Sequence, residues 1–358
     1  SLDERTTVEG MPVGYMQFVE IAREIDKTGV KLLVFDEPTA VLTESEATQL
    51  VSVMKKIAAN GIAIIFITHR LDEVMAAADS ITILRDGKLA ATREKEQTSV
   101  VELAELMIGR KGESMVQAAP RTPPQDRVAM SIRDLHVDMP GEEVRGVSLE
   151  VYEGEILGIG GLAGQGKLGI PNGVMSLYDT RGSVTLFGEE LKLGNAGDAL
   201  RAGIAMVSED RKGVGLLLDQ SIEDNIVFNA MQIKGEYLHR LGLFTLKNSG
   251  AVRKTAERMI HDLDIRCFGP MQHTGTLSGG NQQKVCIARA LVMGPRFLFV
   301  SEPTRGIDIG AKKLVLETLV RLNREQGMTI VIVSSELQEL KSISDRIAII
   351  SEGRLVDI

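Results

Sequence analysis

Two neighbouring segments in the later part of the chain decide the fold: LSGGNQQKVCIAR, Leu277–Arg289, and FLFVSEPT, Phe297–Thr304. The first opens a predicted helix with Ser278, Gly279 and Gly280, whose small side chains let a ligand approach the backbone. Because the first N–H groups of a helix are unpaired and lie at the positive end of its dipole, this opening suits a phosphate group. The second segment is an apolar strand with an acidic residue at its carboxyl end, where open α/β sheets place their chemistry. The pair therefore predicts an α/β fold that binds a phosphate-bearing ligand.

The same pattern occurs a second time near the start of the chain. A Gly-containing segment at residues 11–17 is followed by the apolar run Leu32–Phe35, which ends in two acidic residues. Further on, Ile64–Leu89 matches Ile330–Leu355 in the order strand, polar turn, helix, strand and Gly turn. The apolar runs predict strands that are buried in a parallel sheet. A repeat of this length is far longer than the unit of a solenoid, so it predicts two copies of one domain in tandem.

One segment matches the phosphate-binding loop pattern G-x-x-x-x-G-K. It spans Gly161–Lys167 and follows a predicted strand at Glu155–Ile159. In such a loop the backbone N–H groups cradle the phosphates and the Lys reaches their oxygens. A Gly-rich turn between strand and helix, without a ligand, is the alternative interpretation. Leu168 departs from the pattern, because a Ser or Thr hydroxyl at this position would ligate Mg²⁺.

The rest of the second copy is predicted to contain two further parts. Val128–Val151 predicts antiparallel strands that turn at Pro140 and Gly141. Ser221–Asp264 predicts a largely helical lobe that is broken in the middle by Gly242.

Composition narrows the classes of function. The 358 residues have a net charge of −8, which argues against nucleic acid as a partner, since binding to a phosphate backbone needs a cationic surface. Two cysteines do not make a disulfide framework. No run approaches the roughly 20 apolar residues of a membrane span, so we expect any contact with a membrane to be made through another protein.

Together these motifs resemble the signature motif, the Walker B strand and the P-loop of the ATP-binding cassette (ABC) ATPases. The resemblance implies a P-loop NTPase fold with a mostly parallel sheet core, an antiparallel β subdomain and a helical lobe. It also implies three regions: the C-terminal half of a first cassette at residues 1–110, a linker at 111–127 and a complete second cassette at 128–358. The first hundred residues contain no P-loop, so we expect the first cassette to lack its N-terminal half.

In the ABC ATPases, nucleotide lies between two paired cassettes, and each site combines the P-loop and Walker B strand of one with the signature of the other. Four departures from the family's pattern fall on one such site. Leu168 replaces a Mg²⁺ ligand, Ser301 the Walker B Asp, Ser335 the switch His and Pro12 the signature Ser. Losing a single stabilising group commonly costs about 10²–10³ in rate. This site is therefore expected to bind nucleotide but to turn it over poorly.

The other site is expected to be competent. By the resemblance, Asp36 holds Mg²⁺, Glu37 is the general base and His69 contacts the γ-phosphate. Glu302, which keeps the carboxylate of the impaired site, completes the predicted catalytic residues with Glu37 and His69. Glu209 takes the place of the Gln that couples nucleotide to the partner. The predicted ATP-binding residues are Gly161, Gly164, Gln165, Gly166, Lys167, Leu168, Ser278, Gly279, Gly280 and Gln283.

Within the family, the run at Ser208–Gly215, the LSGGNQQK segment and the weakened first signature resemble importers of simple sugars (ribose, galactose, xylose) and of nucleosides. The implied cofactors are ATP and Mg²⁺. The implied partners are transmembrane permease subunits and, indirectly, a periplasmic or lipoprotein solute-binding protein. Such a subunit lies peripherally on the cytoplasmic face of the cell membrane.

Two other functions remain open from the sequence. A twin-cassette factor acting on ribosomes or DNA calls for a long charged linker and a basic face, whereas this linker is short and contains Pro120, Pro123 and Pro124. A pseudo-ATPase that binds nucleotide and signals by shape is the other. Without a first P-loop, the chain alone is expected to be weak or inactive as an ATPase.

Overall fold

The computed structural model describes residues 13–25, 27, 29–39, 44–68, 70–85, 87–108, 127–241, 244–307 and 309–358. The chain divides into two compact units, Ser1–Glu113 and Ser114–Ile358. Of the predicted linker at 111–127, only Arg127 belongs to the described residues. No described helix is long and apolar enough to cross a bilayer.

The first unit is built from two small sheets and the helices that flank them. The elements are α1 (Val13–Ile25), β1 (Leu32–Asp36), α2 (Glu44–Ala59), β2 (Ala63–Ile67), α3 (Leu71–Ala77), β3 (Ser80–Arg85), β4 (Lys88–Glu94) and α4 (Val100–Ile108). Strands β1 and β2 pair in parallel, and β3 and β4 form an antiparallel hairpin.

In the described part of the first unit only one face of the β1–β2 pair is covered, which corrects the prediction that both strands are buried. On the covered side Phe35 packs into a cluster with Leu50 and Met54. On the other side Val34 and Ile65 are 58% and 48% exposed. The sequence pattern shows that a strand is apolar on both faces, but not which described elements pack on them.

The second unit has an antiparallel sheet, a larger central sheet and a set of helices. The strands are β5 (Val128–Val137), β6 (Val144–Tyr152), β7 (Ile156–Gly160), β8 (Thr180–Leu186), β9 (Glu189–Glu190), β10 (Ile204–Val207), β11 (Leu238–Leu241), β12 (Phe244–Lys247), β13 (Phe297–Ser301), β14 (Thr329–Ser334), β15 (Arg346–Ser351) and β16 (Arg354–Asp357). The helices are α5 (Gly169–Val174), α6 (Ala196–Arg201), α7 (Ile222–Asn229), α8 (Ser249–Asp262), α9 (Gly279–Val292), α10 (Ile309–Gln326) and α11 (Leu337–Ile343).

The central sheet places the chemistry of the second unit at one edge. Its order is β10-β13-β14-β7-β15-β16, and all neighbours are parallel except β15 and β16. Every residue of β7, β13 and β14 is buried, as expected for continuous apolar runs with both faces covered. Because parallel strands end on the same side, the segments that follow these three strands come together. The predicted P-loop NTPase fold of this unit is confirmed.

The helical lobe differs from its prediction. Ser221–Asp264 was predicted as largely helical, but between α7 and α8 it forms the hairpin β11–β12, in which His239 pairs with Leu246. A π-helical turn, Ala230–Lys234, continues α7 and is followed by Gly235, whose φ of 67° is in the left-handed region. The glycine that interrupts the helical pattern is evident in the sequence, but two four-residue strands are too short to show a clear alternation of apolar and polar residues.

Cys286 of α9 gives a prediction about the core. Burial raises the pKa of its thiol to about 12, whereas an exposed thiol has a pKa near 9.0. A group whose pKa is raised by folding stabilises the fold below the unfolded pKa, and this contribution is lost as pH rises through the folded value. Cys286→Ala should therefore flatten the fall in unfolding free energy between pH 9 and 12.

The burial of Cys286 also predicts its reactivity. In the native protein at pH 8, a thiol reagent should label the partly exposed Cys267 well before Cys286. Equal labelling rates would contradict the burial of Cys286.

Candidate functional site

The start of α9, which we call its mouth, packs closely against neighbouring segments of the chain. Ser278 precedes the helix with φ −62° and ψ 156°, and it is exposed. A Cβ added to Gly279 would lie 2.9 Å from the carbonyl oxygen of Gly306, and one added to Gly280 would lie 2.5 Å from Cβ of Ala311. The two glycines therefore let the helix start pack against α10 and the loop before it; Gly279 is half-buried and Gly280 is buried.

A polar side chain at this mouth is Asn281, which is not among the ATP-binding residues predicted from the sequence. Its Nδ2 donates to Ser278 Oγ at 2.9 Å, and its Oδ1 accepts from the backbone N–H of Arg266 at 2.8 Å. Gln283, which was selected, is 3% exposed, and its Nε2 has no hydrogen-bond partner among the described residues. Asn281 is therefore better placed to meet a ligand, and a contact from Gln283 stays a prediction. The sequence does carry a signal for Asn281, because this residue lies only three positions beyond Ser278 and therefore near the start of the helix.

The predicted P-loop already holds an anion of the chain itself. The N–H of Gly164 donates to Oε1 of Glu142 at 2.8 Å. The N–H groups of Gly166 and Leu168 donate to Oε2 of the same carboxylate at 2.9 and 3.1 Å. Gly164 and Gly166 have φ values of 75° and 95°, a left-handed conformation that suits glycine. Glu142 is 7% exposed and was not selected from the sequence.

The rest of this loop is tied to its surroundings. Gln165 Oε1 accepts from the N–H of Glu352 at 2.8 Å, so this side chain faces the turn between β15 and β16. A Cβ on Gly161 would lie 2.4 Å from the carbonyl oxygen of Ile350, which explains the glycine there by packing alone.

Lys167 and the acidic residue after β13 form a closed set of contacts. The Lys167 side chain is 1% exposed, and Nζ donates to the carbonyl oxygen of Leu162 at 3.3 Å. Nζ also lies 3.6 Å from Oε1 of Glu302. Ser335, at the end of β14, donates its hydroxyl to the same Glu302 oxygen at 2.6 Å. The structure thus brings the three strand ends together as the sequence predicted.

The donor set beside Lys167 does not fit Mg²⁺. This cation takes hard oxygen ligands, usually with one or two carboxylates. Leu168 supplies no oxygen from its side chain, and the Ser301 hydroxyl is fully buried without a hydrogen-bond partner in the described part of the chain. Across the described residues of both units there is no group of three or more His, Cys, Asp and Glu that could hold a metal ion.

The acidic strand ends of the two units have the same backbone geometry. Glu37 has φ 47° and donates its N–H to Ile67 at 2.9 Å; Glu302 has φ 45° and donates to Val333 at 2.8 Å. A positive φ is uncommon outside glycine, so its occurrence at both strand ends supports the repeat independently of sequence. Asp36, just before Glu37, is exposed. His69 lies outside the described residues, as does Pro12.

A buried glutamate links each of these strand ends to the helix that follows the neighbouring strand, α3 after β2 and α11 after β14. In the first unit Thr39 donates its hydroxyl to Glu73 at 2.7 Å, and Nη1 of Arg70 lies 2.6 Å from the same carboxylate. In the second unit Thr304 donates to Glu339 in the equivalent way. Each glutamate therefore fixes the turn after the Walker B-like strand against the start of α3 or α11.

Glu209 is half-buried at the end of β10. Its Oε1 accepts from Nδ2 of Asn172 in α5 at 3.3 Å. This contact joins the segment after β10 to the helix that follows the P-loop, and a coupling role for Glu209 stays a prediction.

Comparison with known proteins identifies the family. A family model described as ABC transporter matches residues 144–305. Over 99% of its length the chain is 40% identical to ribose import ATP-binding protein RbsA 2 of Rhizobium meliloti, of which it covers 67%. The chain belongs to the ABC transporter family. It is also 37% identical, over 98% of its length, to xylose import ATP-binding protein XylG of Thermoanaerobacter pseudethanolicus, of which it covers 68%.

Solved structures of ABC cassettes share the fold. The ATP-binding cassette MJ0796, in a post-hydrolysis state with ADP and Pi, aligns with a TM-score of 0.53 and 22% identity. The alignment covers 64% of this chain and 97% of that cassette. The predicted family and fold are therefore confirmed, and the chain is an ATP-binding protein of the ABC transporter ATPases.

Proposed function

We propose that this chain is the ATP-binding subunit that energises import of a simple sugar, with a pentose such as ribose or xylose as the first candidate and a nucleoside as the second. The observation that carries the proposal is its 40% identity, over 99% of its length, to a ribose import ATP-binding protein. A xylose import protein matches almost as well, so sequence similarity favours the solute class and does not choose the sugar.

Its partners in this proposal are transmembrane permease subunits and, through them, a solute-binding protein outside the membrane. The chain is then a peripheral protein on the cytoplasmic face of the cell membrane. Its two cassettes, at residues 1–110 and 128–358, pair so that nucleotide binding closes them and hydrolysis reopens them. The relatives support this assignment because both are named as import ATP-binding proteins.

The proposal includes one competent and one degenerate site. At the competent site Glu37 polarises the attacking water as general base, and His69 contacts the γ-phosphate. The Ser278 hydroxyl and the N–H groups of Gly279 and Gly280 bind that phosphate from the other cassette. In support, Glu37 lies at a strand end and Ser278 lies exposed at the mouth of a 14-residue helix.

Mg²⁺ fits the first strand end better than the second. Asp36 is an exposed carboxylate directly before Glu37, and it would hold the ion, which neutralises phosphate charge when bound. The degenerate site combines the P-loop at Gly161–Leu168 with the first signature. Since residues 1–110 contain no P-loop, we expect weak or no turnover by these 358 residues alone.

Reconstitution tests the transport function. The native full-length protein is assembled with its permease in proteoliposomes, and ATP hydrolysis is measured with purified binding protein and ribose, xylose, galactose or a nucleoside. We expect one solute class to stimulate hydrolysis and to enter the vesicles. Hydrolysis that no solute changes, in a complex that contains the permease, would contradict import. Stimulation by ribosomes or DNA would favour the non-transport factor instead, and nucleotide binding without turnover would favour a pseudo-ATPase.

A further inference from the structure

The P-loop of the second unit, called the second P-loop below, carries a feature that the family pattern does not require, which is the carboxylate of Glu142 inside its ring of N–H groups. Three N–H groups donate to it, from Gly164, Gly166 and Leu168, at 2.8 to 3.1 Å. N–H groups of this loop are those that cradle phosphate in a P-loop NTPase. A carboxylate offers them the same ligand chemistry, because it is an anion with more than one acceptor oxygen.

Glu142 is held in this position by the backbone around it. It lies in the turn between β5 and β6, where its own N–H donates to the carbonyl oxygen of Met139 at 3.0 Å. The turn touches the P-loop closely: a Cβ added to Gly169 would lie 2.2 Å from the carbonyl oxygen of Glu142, and one added to Gly166 would lie 2.4 Å from that of Glu143. Glycine at 166 and 169 therefore lets the turn sit on the loop and bring the carboxylate to its centre.

The other groups that would meet a nucleotide here already have partners in the chain. Lys167 is directed to the Leu162 carbonyl oxygen and towards Glu302, and Glu302 accepts from Ser335. Glu142 within the ring of N–H groups and Glu302 beside Lys167 thus place two carboxylates at this loop. A triphosphate would add several negative charges to this set, and like charges in a buried site repel strongly.

We propose that Glu142 is a tethered substitute for phosphate which fills the second P-loop and excludes ATP from it. Glu142 is then the residue that decides whether this loop accepts nucleotide. The inference rests on the proposed function only in naming ATP as the excluded ligand. It differs from the sequence-based expectation, in which this loop binds nucleotide and only hydrolyses it poorly.

The test is direct binding to the 358-residue chain, whose sequence contains one G-x-x-x-x-G-K segment. Affinities for MgATP and for pyrophosphate are measured by calorimetry for the wild type and for Glu142→Ala. We expect Glu142→Ala to bind both at least tenfold more tightly. The gain should disappear in the double variant Glu142→Ala/Lys167→Ala, which assigns it to this loop. Glu143→Ala is the matched control, because Glu143 is adjacent, equally charged, 54% exposed and paired with Arg145; it should bind as the wild type does.

Thermal unfolding gives a second readout. Removing the carboxylate leaves three N–H groups without their acceptor, so the Tm of Glu142→Ala should fall, and pyrophosphate should restore it while leaving the wild type unchanged. Glu142→Gln keeps one acceptor oxygen and loses the charge, so its Tm should lie between those of the wild type and of Glu142→Ala. This variant also covers the case in which the alanine variant does not fold. The proposal would be overturned if the wild type bound MgATP as tightly as a folded Glu142 variant does and if this binding depended on Lys167. It would also be overturned if a folded Glu142 variant showed no gain in affinity. Neither result depends on whether the complete protein imports a sugar.

Discussion

Glu37→Gln is expected to lower ATP hydrolysis by the complete, permease-bound protein about 10²–10⁴-fold, the usual contribution of a positioned general base. Glu302→Gln is the matched change in the second unit. It is expected to lower ATP hydrolysis less than about threefold, since this carboxylate does not activate water in the proposed mechanism. The two residues share the left-handed backbone and the N–H bond to the next strand. The difference therefore has to come from their surroundings.

Those surroundings account for the expected asymmetry. Glu302 accepts the Ser335 hydroxyl at 2.6 Å and lies 3.6 Å from Lys167 Nζ, while the buried Ser301 precedes it. Glu37 follows the exposed carboxylate of Asp36. Steady-state hydrolysis with saturating MgATP is the measurement, and ATP affinity of each variant is the control for misfolding. Equal losses from both substitutions would show that both sites turn over, and a larger loss from Glu302→Gln would reverse the assignment.

The second large effect concerns stability. Glu339→Ala should reduce the unfolding free energy of the second unit by about 3–5 kcal/mol, the usual result of removing one partner from a buried ion pair. The Glu339 side chain is fully buried, and its carboxylate accepts from Thr304 and from Ser334. Lys312 Nζ lies 2.6 Å away and is itself only 16% exposed, so the substitution leaves a nearly buried ammonium group with less compensation.

Glu336→Ala is the control for this prediction. Glu336 also pairs with Lys312 and lies one helical turn away, but its side chain is 58% exposed, and exposed pairs contribute about 0–1 kcal/mol. Chemical denaturation of the full chain, followed by circular dichroism, compares the two variants. Similar small losses for both would mean that the buried network is not stabilising, and the link from the β13 turn to α11 would lose its structural role.

The sequence predicted those features that depend on local pattern. The strands β7, β13 and β14 follow from unbroken apolar runs, and the helix mouth at Ser278 follows from its small residues. Once the strands are parallel neighbours, their carboxyl ends have to meet, which is why Glu302 and Ser335 lie beside the P-loop.

What the sequence did not predict depends on distant pairing or on packing. Glu142 reaches the P-loop because the β5–β6 hairpin folds over it, and no local pattern links an acidic residue after a turn to N–H groups more than twenty residues further on. Gln283 and Asn281 are two residues apart on α9, so choosing between them requires knowing which side of the helix is buried. The exposed side of the β1–β2 pair likewise depends on which elements lie beside it.

The orphan hydroxyl of Ser301 has a consequence for how this protein can change over time. An aspartate at this position, the residue of the family's Walker B pattern, would enter a fully buried place where the present hydroxyl has no hydrogen-bond partner among the described residues. A solitary charge there is costly unless other groups change with it. We therefore expect Ser301→Asp to destabilise the second unit unless neighbouring side chains change with it.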